Sequence, residues 1–504
     1  MRLSALLFLA LPGAALAEPV QPRFAPVEIA PHVYGGGWEH FVGGGLAAFD
    51  CDGDALPELY AAGGANPATL FRNRSDSGVA FAPDTPDALA LTGVTGAYPL
   101  DIDGDGVLDL AVLRVGQDRL MRGTGNCGFE AFEAELGFVS DDRWTTAFSA
   151  TWEAGSTLPT LAFGTYVDRS DPDGPFEACD ATLLYRPDGS TYGPPLRLEP
   201  GYCALSMLFS DWRRTGHADL RVSNDRHYYV RGGQEQMWQM TETPRLYTEA
   251  EGWRPYALWG MGIASRDVTG DGHPEVYLTS MGDQKFQVFD PATGGPTWVD
   301  ATYDRGTSAH RPHTGVDGRP STGWHAAFGD VNNDTRDDIF VAKGNVEQMP
   351  DAAMDDPNSL LVQTVSGRFE ERSVVAGVAS MARSRGAALA DFDNDGRLDL
   401  AVVNRRANME VFANVTEAGN WLLVGLSGAA PNTGAVGAVI EVKARGAIQT
   451  REITVGGGHA GGHAGLQHFG LGKTEVAEIR VLWPDGKSTQ WQDAQANRIL
   501  RLAQ

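Results

Sequence analysis

Acidic side chains recur along this chain at one spacing, and that spacing is a ligand set for a hard cation. The clearest copy, Ala388 to Val402, reads A-L-A-D-F-D-N-D-G-R-L-D-L-A-V. It places Asp391, Asp393, Asp395 and Asp399 at loop positions 1, 3, 5 and 9, with Gly396 just after the third acid. Short carboxylates at alternate positions of a tight loop converge on one point. The glycine relieves the turn, and the ninth residue closes the shell. Such carboxylates repel each other and raise each other's pKa unless a cation neutralises them. The flexible all-oxygen shell selects Ca2+ over Mg2+, which demands a rigid octahedron. The competing reading is an Asx-turn that joins two strands without metal.

Six further loops share the spacing. Asp50, Asp52, Asp54 and Glu58 form one, and Asp101, Asp103, Asp105 and Asp109 a second. Asp267, Thr269, Asp271 and Glu275 make a set one charge short. Asp330, Asn332, Asp334 and Asp338 remain competent because asparagine offers a carbonyl oxygen. Two copies are degenerate. Thr151, Glu153, Gly155 and Pro159 have lost most ligands. Asp211, Arg213, Thr215 and Asp219 put a guanidinium in the shell, where it is expected to replace the metal by pairing with Asp211 and Asp219.

Each loop is entered and left by a short apolar run, so it joins two strands. The loops start roughly 50 to 63 residues apart, near the period of propeller blades built from four strands. Phe71-Arg-Asn73 and Phe412-Ala-Asn414 read as ends of third strands. Phe81-Ala-Pro and Phe369-Glu-Glu read as starts of fourth strands. After Asn414 the pattern changes at once, leaving the last blade one strand short. Arg23-Phe-Ala-Pro-Val-Glu-Ile-Ala resembles Arg368-Phe-Glu-Glu-Arg-Ser-Val-Val, so Phe24 to Ile29 is expected to supply that strand and close the ring. In the tail, alternation in Trp421 to Leu426, Val436 to Val442, Ile448 to Val455 and Val476 to Trp483 predicts half-buried antiparallel strands of a small sandwich. The expected fold is therefore all-β: a seven-bladed β-propeller followed by a small C-terminal β-sandwich.

Composition agrees with many short strands and turns. The chain has 504 residues, 62 of them glycine, and is 42% hydrophobic. Its formal net charge of -25 excludes nucleic acid and an anionic membrane surface as natural partners. Met1 to Ala17 carries Arg2, an apolar run and an Ala15-Leu16-Ala17 end, the pattern of a secretory signal cut after Ala17. No later run approaches the roughly 20 apolar residues of a membrane span. Cys51, Cys127, Cys179 and Cys203 then suit disulfides. Three pairings are possible, and closeness in sequence favours Cys179–Cys203, leaving Cys51–Cys127.

Units such as G-A-A-L-A-D-F-D-N-D-G-R-L-D-L resemble FG-GAP/VCBS repeats, the calcium-loop blades also found in integrin α-chain propellers. The resemblance covers roughly residues 24–416. In the tail, Asn420-Trp-Leu-Leu-Val-Gly-Leu, Gly434-Ala-Val-Gly-Ala-Val-Ile-Glu-Val, His468-Phe-Gly-Leu-Gly and Val481-Leu-Trp-Pro-Asp-Gly resemble the ASPIC/UnbV domain. The combination is similar to the cartilage acidic protein 1-like family. It implies a signal peptide at 1–17, a repeat propeller over 18–418 and an ASPIC/UnbV-like sandwich over 419–504. The segment Gly456 to Gly465, G-G-G-H-A-G-G-H-A-G, departs from the family, where an aromatic residue and a Ser-Gln pair are expected.

Catalytic signatures are absent from the sequence: no G-x-S-x-G, H-E-x-x-H or P-loop occurs. His459, His463 and His468 lie in a glycine-rich tract rather than on a helix face, and read as structural or solvated, with His468 inside the sandwich. His310, His313 and His325 are read as lying in an insertion-like region, Asp304 to Trp324, before the sixth loop. The expected function is an exported, periplasmic or extracellular, calcium-binding module for binding or adhesion to a protein or glycan, and not an enzyme. The alternatives are a calcium-assisted polysaccharide hydrolase or lyase, and an assembly factor for an exported partner.

Overall fold

The apolar runs on either side of each acidic loop pair as antiparallel strands. In the computed structural model, which describes residues 20–175, 177–225 and 232–504, Leu46–Phe49 pairs with Glu58–Ala61 across the Asp50 loop. Arg383–Ala390 pairs with Asp399–Arg405 across the Asp391 loop in the same way. The signal segment expected at residues 1–17 lies outside the described residues.

Runs of four antiparallel strands repeat along the chain. Their first strands are Leu46–Phe49, Val94–Leu100, Arg143–Thr151, Ala204–Ser210, Gly260–Arg266, Gly323–Gly329 and Arg383–Ala390. Each lies against the next, and Arg383–Ala390 lies back against Leu46–Phe49. The second and third runs are also joined into one sheet, where Arg143 and Trp144 pair with Gly116 and Val115. The last run is completed from the other end of the chain. Phe24–Val27 pairs with Glu410–Asn414 in the register Phe24 to Asn414 and Val27 to Val411. Phe24 is buried in the same apolar cluster as Phe340, Leu400 and Phe412, so the closing strand is anchored by a side chain as well as by its ladder.

Both disulfides adopt the favoured pairing. Cys51–Cys127 ties the first acidic loop to a turn of the second run, and Cys179–Cys203 ties the third run to the fourth. No helix among the described residues is long and apolar enough to cross a membrane.

The tail forms two sheets. One contains Gln467–Gly472, Asn420–Ser427 and Arg498–Ala503; the other contains Ala447–Glu452, Val439–Ala444, Val476–Leu482 and Gln492–Gln495. Leu422, Val424 and Phe469 of the first share a core with Ile440, Val442 and Ile479 of the second. One pairing departs from the antiparallel expectation: Asn420–Ser427 and Arg498–Ala503 run parallel, because the long return through the other sheet brings the last strand in from the same end.

The glycine-rich segment of the tail leaves these sheets and enters the centre of the array. Ala150 N–H donates to Val455 O at 3.1 Å, and Gly457 N–H to Met207 O at 2.6 Å. Gly458 and Ile263 exchange bonds of 2.7 and 3.3 Å, Ala97 N–H reaches Ala460 O at 3.2 Å, and Ala48 N–H reaches Gly462 O at 3.1 Å. First strands of five runs thus donate to, or accept from, one short stretch of backbone. Approach this close requires glycine on the strands too. A Cβ at Gly45 or at Gly96 would stand 1.7 Å from Ala460 O.

Two outcomes test this architecture. Phe24→Ala should cost about 3 kcal/mol in urea unfolding, the usual penalty for truncating a buried phenylalanine; an unchanged midpoint would show that the closing strand contributes nothing. Gly96→Val should expel the glycine segment, seen as lost hydrogen-exchange protection at Ala97, Gly458 and Gly462, while the amide of Phe469 in the tail stays protected.

Candidate metal centre

One wiring diagram serves the loops at Asp50, Asp101, Asp330 and Asp391. The position 1 carboxylate accepts loop amides: Gly53 and Ala55 for Asp50, Gly104 and Gly106 for Asp101, Asp395 and Gly396 for Asp391. The position 9 acid stands at the start of the second strand and faces inward. It ties the loop to the third strand. Asp109 accepts from Ile102 and Gly123, both at 2.8 Å, and Asp399 from Phe392 at 2.9 Å and Asn414 at 2.7 Å. Glu58 does the same with Cys51 and Asn73, and Asp338 with Val331 and Gln363. Position 9 is therefore both a ligand candidate and the bolt between three strands.

Three loops bring carboxylates to one point. Ligand oxygens of Asp50, Asp52 and Glu58 all lie within 4.8 Å of one another, as do those of Asp101, Asp103 and Asp109, and of Asp391, Asp393 and Asp399. The position 5 acids stand outside these triplets. Asp54, Asp105 and Asp395 instead accept the amide two residues on, from Leu56, Val107 and Arg397. The short Asx side chain satisfies its own turn first.

The remaining loops diverge. In the Asp267 set, Thr269 spends its hydroxyl on Glu275 at 3.1 Å, and Asp271 accepts from His273 N–H at 2.8 Å. In the Asp330 set no triplet of acids converges among the described residues, since position 3 is Asn332. Arg213 pairs with Asp219 at 3.2 Å, but its expected bond to Asp211 is absent among the described residues, because Asp211 is consumed by the amides of Thr215 and Gly216. Glu153 is held by Arg186 and Thr160, so the third copy gathers no ligand set.

Burial sets the electrostatics. It pushes Asp109 up to about 8, with Asp103 and Asp101 adding to the rise. Burial likewise lifts Glu58, Asp391 and Glu275 to about 7, each helped by neighbouring acids and opposed by backbone donors. Asp399, Asp330 and Asp338 are raised well above the carboxylate range for the same reason. A second signal points the same way. At position 3, Asp103 Oδ1, Asn332 Oδ1 and Asp393 Oδ1 are buried without a hydrogen-bond partner. An orphaned acceptor beside other acceptors fits a cation and nothing that donates from the protein. The donor sets at Asp101, Asp391 and Asp330 thus fit a hard ion.

Arginines that spacing alone did not single out complete the loops. Arg397 pairs with Asp395, Arg336 with Asp334, Arg72 with Asp52, and Arg122 with Asp103. The first two are legible in the sequence as an arginine two places after position 5. The tail also reaches this rim. Thr433 Oγ1 donates to Asp101, Gly472 N–H to Asn333 O at 2.8 Å, and Arg451 pairs with Asp337 at 2.9 Å.

The histidines separate. His310 sits 2.8 Å from Gly282 O, and His313 bonds Ser373 at 2.8 Å. His325 lies on the sixth first strand, not in the insertion, and accepts His459 N–H at 3.1 Å. His459 is buried at the centre between Met261 O and Gly43 N. His468 does not pack inside the tail; its Nε2 lies 3.1 Å from Gly396 O, against the seventh loop.

Comparison with known proteins adds to this geometry. The model of the FG-GAP-like repeat matches residues 50–112, and that of ASPIC and UnbV matches residues 428–504. Cartilage acidic protein 1 of Homo sapiens is 37% identical over 115 residues, 21% of this chain and 16% of the relative. The Xenopus tropicalis protein is 34% identical over 134 residues, 24% of this chain and 20% of the relative. The match therefore spans no more than about a fifth of these relatives. Among solved structures, BBS1N in complex with ARL6DN aligns with 78% of this chain and 98% of its own, at 10% identity and a TM-score of 0.42. An N-acetylglucosamine-recognising Agrocybe aegerita protein aligns with 71% of this chain and 88% of its own, at 15% identity and a TM-score of 0.40. The repeat match, the tail match and the cartilage acidic protein 1 relatives together support an FG-GAP/UnbV family protein.

Proposed function

We infer that this is an exported calcium-binding module, a seven-bladed propeller over residues 18–418 with a sandwich over 419–504, that binds or adheres to a protein or glycan. The cyclic contacts of the first strands support the ring, and the shared core of the two tail sheets supports the sandwich. The observation that carries calcium is the set of buried, partnerless position 3 oxygens beside converging acids. Asp101, Asp103 and Asp109, and Asp391, Asp393 and Asp399, would hold the ion most completely, followed by Asp50, Asp52 and Glu58. The Asp330 loop would bind through Asp330, Asn332, Asp334 and Asp338, and the Asp267 loop through Asp267, Thr269, Asp271 and Glu275 more weakly. The ion's chemistry is neutralisation: it makes the loops rigid without activating a substrate.

Because strands alternate direction, the metal loops share one rim, and the tail covers it. The opposite rim carries the segment before the first run and the insertion before the sixth. There Trp38 is 41% exposed and stacks on Trp144, and Tyr303 is 72% exposed. Loops held by a rigid scaffold are the usual place for recognition, so this rim is the binding face. Two disulfides suit an oxidising compartment outside the cytoplasm.

Calcium should stabilise the chain by about 1.4 kcal/mol per site at tenfold excess over its dissociation constant. The pH trend follows from the raised carboxyls. In chelator the native state holds protons on Glu58, Asp109, Asp391 and Glu275 that the unfolded chain has already released. Stability therefore falls as pH rises from about 4 through about 8. Calcium should abolish that fall, and Asp391→Asn should remove one site's share. Denaturant titrations across this range check it; identical curves with and without calcium would sink the calcium reading.

The binding face is tested by a glycan and protein array probed with the calcium-loaded chain and with the same chain in chelator. Calcium-dependent capture without turnover is expected, and a Trp38→Ala, Tyr303→Ala double variant should lose it. Release of product from a polysaccharide would overturn the module in favour of an enzyme.

A further inference from the structure

A cavity of about 210 Å³ lies where the tail meets the ring, bordered by Arg266, His463 and His468. These three side chains have unspent hydrogen-bonding capacity. No carboxylate among the described residues lies within ion-pair distance of Arg266, and its Nε is buried without a partner. His468 Nε2 donates to Gly396 O, which leaves Nδ1 as an acceptor, and that atom is also buried and partnerless. His463 makes no side-chain hydrogen bond among the described residues and is exposed to the cavity.

The acids around the cavity are already engaged. Asp337 is paired with Arg451 at 2.9 Å. Glu452 accepts from Ser210 and from Asp211 N–H, each at 2.8 Å. Asp267 accepts the amides of Gly270 and Gly272 at 2.8 and 3.0 Å. A guanidinium left without a carboxylate in a recess between two sheets systems is costly unless an outside anion completes it.

Sequence position singles out the same residue. The residue before loop position 1 is Phe49, Leu100, Ala150, Ser210, Gly329 or Ala390 in the other copies, and Arg266 in the fifth. Six copies are apolar or small there, as a strand end packed under the tail requires. The one cation stands where the cavity is.

We propose that this cavity binds a small oxyanion that also carries a hydroxyl, with Arg266 holding the anionic oxygens and His468 Nδ1 accepting the hydroxyl proton. Hydrogenphosphate has this pairing of groups, whereas sulfate supplies the charge without the donor. His463 lies close enough to contact either kind of oxygen. The site is independent of what the opposite rim binds.

Calorimetry of the full chain with inorganic phosphate tests it, at mildly acidic pH where calcium phosphate stays soluble. Phosphate should bind at one site, and sulfate should bind about tenfold more weakly, since it leaves the His468 acceptor unpaired. Arg266→Leu should weaken phosphate at least about tenfold. His463→Ala serves where the arginine variant fails to fold, since its side chain has no partner to lose, and it should weaken phosphate measurably. No heat with the wild-type chain, or wild-type affinity in the folded variants, overturns the proposal; equal affinity for sulfate removes the hydroxyl from it.

Discussion

The tail's glycine segment, bonded to the first strands of five runs, is the contact on which the rest of the molecule depends. First strands that lie side by side point backbone donors and acceptors into the narrow space between them. Buried peptide groups left there without partners would each cost free energy. Val455, Gly457, Gly458, Ala460 and Gly462 supply those partners. Backbones approach there closely enough that glycine is required at Gly45 and Gly96, where a Cβ would stand 1.7 Å from Ala460 O. The tail thus reaches between the first strands, and its sheets lie on the side from which the segment enters.

That side is the rim that carries the acidic loops, and the coincidence has a structural cause. Each acidic loop begins where a first strand ends. The same strand meets the glycine segment only a few residues earlier: Ala48 before Asp50, Ala97 before Asp101, Ile263 before Asp267. At about 3.3 Å per residue, these positions are within about 7 to 13 Å along one strand. The position 9 acid then bolts the loop to the third strand. The acidic loop, its ladder and the axial segment therefore act on the same short stretch of backbone.

Local chemistry was legible in the sequence, and distant backbone contacts were not. Spacing located the acidic loops, because ligands eight residues apart meet through a single turn. The closing strand Phe24–Val27 was legible from its likeness to the segment at Arg368, and both disulfides from the order of the cysteines. Spacing could not say how far each position 5 aspartate turns toward the other acids or toward its own amide. Arg213 was assigned one partner too many for a similar reason: Asp211 had loop amides nearer to hand. The glycine tract carried no destination at all. Its bonds run from backbone to backbone across hundreds of residues, so no side chain records them. His468 was placed inside the tail because a conserved-looking motif says which residue is there, not which of two touching surfaces it faces.

These constraints divide the molecule into two unlike faces. The rim of the acidic loops is spent on internal bonds, with Thr433, Arg451 and Glu452 of the tail engaged to Asp101, Asp337 and Asp211. The far rim keeps its long connections, its exposed aromatics and its buried ion pairs, such as Lys343 with Asp356 at 3.2 Å, beneath the loops. An ion on the first face cannot touch a ligand on the second. Its influence must pass through the first strands, by fixing their ends and so the spacing of the loops at their other ends. On the proposed reading, a calcium ion would set how rigidly the far loops are presented, while the chemistry of recognition would stay with the loops themselves.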